Sequence, residues 1–201
     1  MPKNFKNKKD SLPVIIFLGP QGSGKGTQAR LIVEKYGFHL LEMGGMLRDN
    51  IAKKTPLGRQ AKKYLEHGKL VPSWMPEELL KQGVKKFING KIVIDGAPRQ
   101  IGEARAHERN INKLGRKISI VFYITLSNTE AIKRLLLRGR ADDTPEKIRT
   151  RLAWSRAKLK GIVKYFKKRG YPVVSINGEQ TVVQVHKDII KVLKKHRVIN
   201  L

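Results

Sequence analysis

No cysteine occurs anywhere in the 201 residues, which removes disulfides, thiol catalysis and cysteine-ligated zinc together. No apolar run approaches the roughly 20 residues needed to span a bilayer, so the expectation is a soluble cytoplasmic protein with no membrane contact. The N-terminal "MPKNFKNKKDSLPVIIFLGP" pairs basic residues with an apolar run, as a signal peptide does. That run is short and lacks a small-residue cleavage site, so it reads as mature sequence. Acidic residues are scarce too. Asp and Glu total 16 against 43 Lys and Arg, a formal charge of +27. A field of that sign attracts polyanions such as nucleotides, nucleic acid or anionic lipid. The basic residues are spread along the chain, from Lys3, Lys6, Lys8 and Lys9 to "VKYFKKRG" and "IIKVLKKHR", which favours solvated helix faces over one dedicated footprint.

Hydrophobic residues make up 40%, enough for a globular domain with a sizeable core and a small insertion. Four short β-branched runs stand out: "LPVIIFLG", "KIVIDG", "ISIVFYITL" and "YPVVSI". They are continuous instead of alternating, as strands buried on both faces of a parallel sheet are. "FHLLEM" is a weaker fifth. Helical patterns lie between them at Thr27–Tyr36, Pro76–Asn89, Thr129–Arg138, Thr144–Arg169 and Thr181–Lys195. Ser127 to Glu130 has capping-box spacing, and Asp143-Thr-Pro-Glu146 offers an N-cap with proline in the first turn. Strand and helix in alternation predict a doubly wound α/β sandwich with a five-stranded parallel sheet. Residues 42–72 are helical and polar with no strand signal. They predict an insertion into a core of 13–41 and 73–201, behind a basic tail at 1–12, expected to be disordered.

The loop "GPQGSGKGTQ" follows a strand and opens a helix, the context that G-x-x-x-x-G-K-[ST] requires. Its glycines at 19, 22, 24 and 26 let backbone N–H groups converge on phosphate oxygens, with Lys25 reaching the β- and γ-phosphates. The hydroxyl that would hold Mg²⁺ is missing: Gly26 follows Lys25, and Thr27 comes one place late. A second signal is "IVIDGAPRQ", a strand ending on an acid, Asp95, suited to holding Mg²⁺ through water at the sheet's carboxyl edge. A third is the arginine density at Arg134, Arg138, Arg140, Arg149 and Arg151. Phosphoryl transfer needs donors arranged around spread-out charge, and the planar guanidinium fork suits that task.

Taken in order, "GPQGSGKGTQA", "GGMLRD", "LGRQAKKYLEHGKLVP", "DGAPRQ", "RLLLRGR" and "DDTPEKIRTRL" resemble the motifs of the adenylate kinase family of nucleoside monophosphate kinases, over roughly 14 to 180. The family's own loop has glycine after the lysine, then Thr-Gln, so Gly26 departs from the general P-loop and not from this family. The resemblance implies ATP + AMP ⇌ 2 ADP with Mg²⁺, ATP on the P-loop and AMP under the insertion. It implies ATP contacts from Gly22, Ser23, Gly24, Lys25, Gly26, Thr27, Arg134, Arg138 and Gln180. It implies AMP contacts from Met43, Arg48, Lys69, Leu70, Val71, Gly96, Ala97, Pro98, Arg99, Glu103, Arg140 and Arg151. Lys25, Arg99, Arg134, Arg138, Arg140 and Arg151 would carry transfer, with Asp142 and Asp143 fixing arginines.

The chain departs from the family at three places. Only Gly139, Arg140 and Ala141 separate Arg138 from Asp142, so the long lid and its zinc ligands are absent, leaving a vestigial loop at 139–141. Either this short loop suffices to exclude water, or a neighbouring subunit helps to cover the site. Met43 and Gly45 stand where the family has Thr and an acid. Glu103 stands where a Gln pairs with adenine. A carboxylate accepts from the adenine amine but donates to ring N1 only when protonated, whereas guanine offers it two donors. AMP is the favoured acceptor; UMP, CMP or GMP are alternatives, as is a basic P-loop module that binds RNA. His39, His67 and His107 have no partners at metal-ligand spacing, and Trp154 reads as helix packing.

Overall fold

Five apolar segments pair side by side, all parallel: β1 (Pro13–Leu18), β2 (Phe38–Glu42), β3 (Lys91–Asp95), β4 (Lys117–Thr125) and β5 (Val173–Asn177). Their order across the sheet is β2-β3-β1-β4-β5. The computed structural model describes residues 12–66, 71–139 and 144–199. Among these residues eight helices fill the connections: α1 (Lys25–Tyr36), α2 (Met43–Ala52), α3 (Pro56–Glu66), α4 (Trp74–Lys86), α5 (Ile101–Lys113), α6 (Asn128–Arg138), α7 (Pro145–Lys168) and α8 (Val182–Lys195). No helix among them is long and apolar enough to cross a membrane.

The continuous apolar runs are explained by cover on both faces. Val14, Ile16 and Leu18 of β1 join Leu79, Leu80 and Val84 of α4 and Leu159, Ile162 and Phe166 of α7. The alternate residues Ile15 and Phe17 face the other way, against Ala29 and Ile32 of α1 and Val185, Ile189 and Leu193 of α8. Ile15 and Ile16 are 0% exposed, and each such side chain contributes about 1.5–3 kcal/mol relative to exposure. Two-sided burial holds the carboxyl ends of β1 and β3 rigid, and the site lies there.

The helix caps follow sequence closely. Ser127 accepts the Glu130 N–H, as its spacing predicts. At α7 the cap is Thr144, whose hydroxyl accepts from the Lys147 N–H. Pro145 then occupies the first helical position, where its missing N–H is not needed. Helix α5 is a difference of kind, because no periodic apolar pattern marks it. Its buried face is made of Glu103, Ala104, Ala106, His107, Glu108, Asn110 and Ile111, mostly polar side chains. Glu108 is satisfied there by the hydroxyls of Tyr165 and Tyr171 and by Arg169. Partners distant in sequence therefore stabilise a helix that local pattern conceals.

Candidate active site

The chain turns from β1 into α1 through Gly19–Gly24, and Gly24, at φ 85°, caps the helix in the left-handed region that favours glycine. Gly22 is left-handed as well. Ser23 is buried, and Thr27 is exposed on the first turn of α1. Lys25 Nζ donates to the Pro20 carbonyl at 2.7 Å and lies 3.3 Å from Ser23 Oγ. Burial draws this half-buried ammonium down to about 8, against the attraction of Asp95 and with the repulsion of Arg99 and Arg138 added.

Strand β3 delivers Asp95 beside this loop, in register with Phe17 of β1. Asp95 is 8% exposed, and its Oδ1 is buried with no hydrogen-bond partner. Burial raises its carboxyl, aided by the charge of Glu42 and opposed by Lys25, Arg30 and Arg99. A Cβ on Gly26 would stand 3.1 Å from Asp95 Oδ2. Glycine after the lysine is what allows the carboxylate this close to the loop.

A cleft of about 570 Å³ opens outside these strand ends, lined among others by Lys25, Arg48, Arg99, Arg151 and Gly96–Pro98. Four cations thus converge from α1, α2, the turn after β3 and α7. Arg99 is anchored by its own turn, with Nε donating to the Gly96 carbonyl at 2.8 Å and its N–H to Glu103 Oε2 at 2.7 Å. Glu103 is 3% exposed, and burial raises its carboxyl against the lowering pull of Arg99. A smaller cavity adjoins the cleft, lined by Met43, Val71, Pro76, Leu79 and Glu103. The two unusual side chains singled out in the sequence, Met43 and Glu103, therefore line one cavity.

Other expected residues lie apart from the cleft. Arg134 is bound by Glu130 at 2.6 Å and donates to the Gly178 carbonyl at 2.8 Å, so it braces the turn after β5. Gln180 turns its side chain toward Asn177 and Asp188. Arg138 lies near enough for its charge to act on Lys25. Lys69, Leu70, Arg140, Asp142, Asp143 and His67 fall outside the described residues. His39 stacks on Phe87, and His107 is fully buried. Trp154, expected as helix packing, instead lines the cleft at 36% exposure beside Arg151 and Ser155.

Two features escaped sequence reading. Glu42 is held by Arg30 at 3.2 Å and Arg48 at 3.1 Å. A signal for it existed, since "FHLLE" ends an apolar run on an acid just as "KIVID" does. Gln28 of α1 donates to the Val182 carbonyl and meets His186, tying the P-loop helix to α8. No sequence signal marks that contact.

Residues 17–171 match the adenylate kinase family model. The chain belongs to the adenylate kinase family. It is similar to an adenylate kinase of Thermus thermophilus, 36% identical over 160 residues, 78% of this chain and 84% of the relative. An adenylate kinase of Corynebacterium aurimucosum is 36% identical over 184 residues, 90% of this chain and 98% of that one. One from Prochlorococcus marinus is 39% identical over 153 residues, 76% and 84% of the two chains. The chain is accordingly a phosphotransferase of the nucleoside monophosphate kinase type.

Proposed function

We propose that the chain transfers the γ-phosphoryl group of ATP reversibly to AMP, giving two ADP, with a divalent cation. The observation that carries this reading is the convergence of Lys25, Arg48, Arg99 and Arg151 on one cleft beside the buried Asp95. A phosphate oxygen of AMP forms the new P–O bond as the bond to the ADP oxygen breaks. No covalent enzyme intermediate is needed, so positioning and charge stabilisation do the work. Lys25 and the N–H groups of Gly22–Thr27 receive the ATP phosphates. Arg48 and Arg99 hold the acceptor phosphate, Arg138 serves the ATP side, and Arg140 and Arg151 serve the charge between the two nucleotides. Val71, Met43 and Glu103 face the acceptor base, with Lys69 and Leu70 adjoining. Residues 42–72 act as the acceptor-binding insertion, and 139–141 as the remnant of a lid.

The donor set fits Mg²⁺. Asp95 offers a hard carboxylate oxygen that is buried and unpartnered, and such an ion keeps most of its waters while binding one or two carboxylates and phosphates. When bound, the ion neutralises charge that develops on the phosphates.

A panel of AMP, GMP, CMP and UMP with ATP and Mg²⁺ in a coupled assay tests the acceptor. AMP phosphorylated above the rest supports the reading, and no preference for AMP overturns it. Lys25→Ala and Arg99→Ala should each abolish transfer while circular dichroism stays unchanged. The +27 charge supports a second, non-exclusive role in loose RNA association. Its mark is binding that falls steeply with salt. Light scattering tests whether a partner subunit covers the site.

A further inference from the structure

Strands β2 and β3 run in register from Phe38↔Lys91 to Glu42↔Asp95, so both end on acids placed side by side. Paired residues of neighbouring strands send their side chains to the same face of the sheet. The two carboxylates therefore lie on one face at the carboxyl ends of β2 and β3, next to the P-loop. Asp95 is more than nine-tenths buried and keeps Oδ1 without a partner.

Position 45 explains where the Glu42 carboxylate goes. A Cβ on Gly45 would lie 3.4 Å from Glu42 Cδ and 3.5 Å from its Oε1. The carboxylate of residue 42 thus occupies the room that a side chain at 45 would take. The acid that the family pattern carries at 45 is missing from the chain, and an acid from the neighbouring strand end stands in its place. Structural ion pairing does not account for Glu42 by itself. Its partners Arg30 and Arg48 have side chains 63% and 55% exposed, and exposed pairs of this kind contribute little to stability. Arg30 also reaches toward Asp95: its Nη2 and Asp95 Oδ2 lie 3.3 Å and 3.1 Å from the point where a residue-26 Cβ would stand. One guanidinium is therefore the counter-charge common to both acids. Two hard carboxylates at paired strand ends, beside a phosphate-binding loop, suit a hydrated divalent cation.

We propose that Glu42 is the second carboxylate of the Asp95 cation site, holding the ion's water shell in place of the acid absent at Gly45. This rests on the reading of Asp95 as the cation-holding residue. Glu42 acts on the ion's waters and is a positioning residue for the metal–nucleotide complex.

The test is the affinity of a non-hydrolysable ATP analogue with and without Mg²⁺, measured by calorimetry. Its readout is the ratio of the two dissociation constants. Glu42→Gln should shrink the tightening given by Mg²⁺ about 10-fold, at the lower edge of the effects seen when groups supporting a metal are removed. Glu42→Ala should shrink it likewise, and adding Gly45→Asp to Glu42→Ala should restore it, since alanine clears the room at 45. Gly45→Asp alone should bring no gain, because its space already holds a carboxylate. If Glu42→Gln fails to fold, Glu42→Asp carries the same test, since it keeps the charge but withdraws it by one methylene. A ratio unchanged in Glu42→Gln but collapsed in Asp95→Asn overturns the role of Glu42 and leaves Asp95 standing. A ratio unchanged in both overturns the cation site itself. Loss of AMP affinity alone would assign Glu42 to Arg48 and overturn the proposal.

Discussion

Gly26 and Asp95 approach so closely that a Cβ on residue 26 would stand 3.1 Å from Asp95 Oδ2 and 3.3 Å from Arg30 Nη2. The hydroxyl of a general P-loop at this position would have to occupy space that the strand-end carboxylate already uses. Gly26→Ser should therefore displace Asp95 or Arg30 instead of adding a useful ligand. Overpacking of this kind costs about 1–3 kcal/mol. Denaturant unfolding should show that loss, and steady-state assays should show a lower kcat/KM for ATP. A fully active, fully stable Gly26→Ser would mean the loop tolerates either residue.

Lys25 titrates near 8 in the folded chain, below its ordinary 10.5, chiefly through burial. Its charge is lost as pH rises through that value, so kcat/KM for ATP should fall above about pH 8. Bound phosphates oppose the loss, and ATP binding at pH 8 should take up protons, which calorimetry in buffers of different ionisation enthalpy detects. The stability sign is the reverse. Between about 8 and 10.5 the unfolded chain holds the proton that the folded chain has released, so this group's contribution to stability rises with pH in that window. Lys25→Met should abolish transfer yet raise Tm near neutral pH by roughly 2–4 °C.

Glu103 spends Oε2 on the Arg99 N–H, which leaves its other oxygen for the cavity it lines. Glu103→Gln can keep that anchor through its carbonyl oxygen while presenting donors to the cavity. The KM for AMP should drop about 10-fold, the worth of one hydrogen bond near 1.4 kcal/mol. Burial raises the Glu103 carboxyl, so protonation sets in above the usual carboxylate range. The AMP KM of the native chain should fall as pH is lowered, and that of Glu103→Gln should not. An acceptor KM unchanged by the substitution would confine Glu103 to anchoring Arg99.

His107 is 0% exposed on α5, and burial holds it down at about 4 against the opposing pull of the Glu103 backbone. The unfolded chain takes up the proton first, near 6.5, so stability is lost as pH falls from there to about 4. Unfolding free energy should be about 2 kcal/mol lower at pH 5 than at pH 7 from this group. His107→Leu should flatten that dependence, as urea midpoints at the two pH values would show.

Trp154 and Trp74 are the two tryptophans, and Trp154 alone lines the cleft. Nucleotide binding should shift the emission of the native chain and of Trp74→Phe, but not of Trp154→Phe. A shift retained in Trp154→Phe would place the change elsewhere.

The P-loop, Asp95 and the sheet were legible because their signals are local: glycine spacing, continuous β-branched runs, and an acid closing a strand. Helix α5 was not legible, because its buried face is polar and is satisfied by Tyr165, Arg169 and Tyr171 some 60 residues on. Arg134 read as one more phosphate-facing arginine, whereas Glu130 and the Gly178 carbonyl hold it at the turn after β5. Trp154 read as packing because the sequence does not say which side of α7 borders a cleft.

By itself, then, the sequence determined a parallel α/β sheet with a phosphate loop after its first strand, since hydrophobic period and backbone freedom act over a few residues. Tertiary structure alone decided which charges meet. Strand register set Glu42 against Asp95, and the turn after β3 joined Arg99 to Glu103. Electrostatic pairing depends on distances of a few ångströms between segments far apart in the chain, and only the packed sheet fixes those.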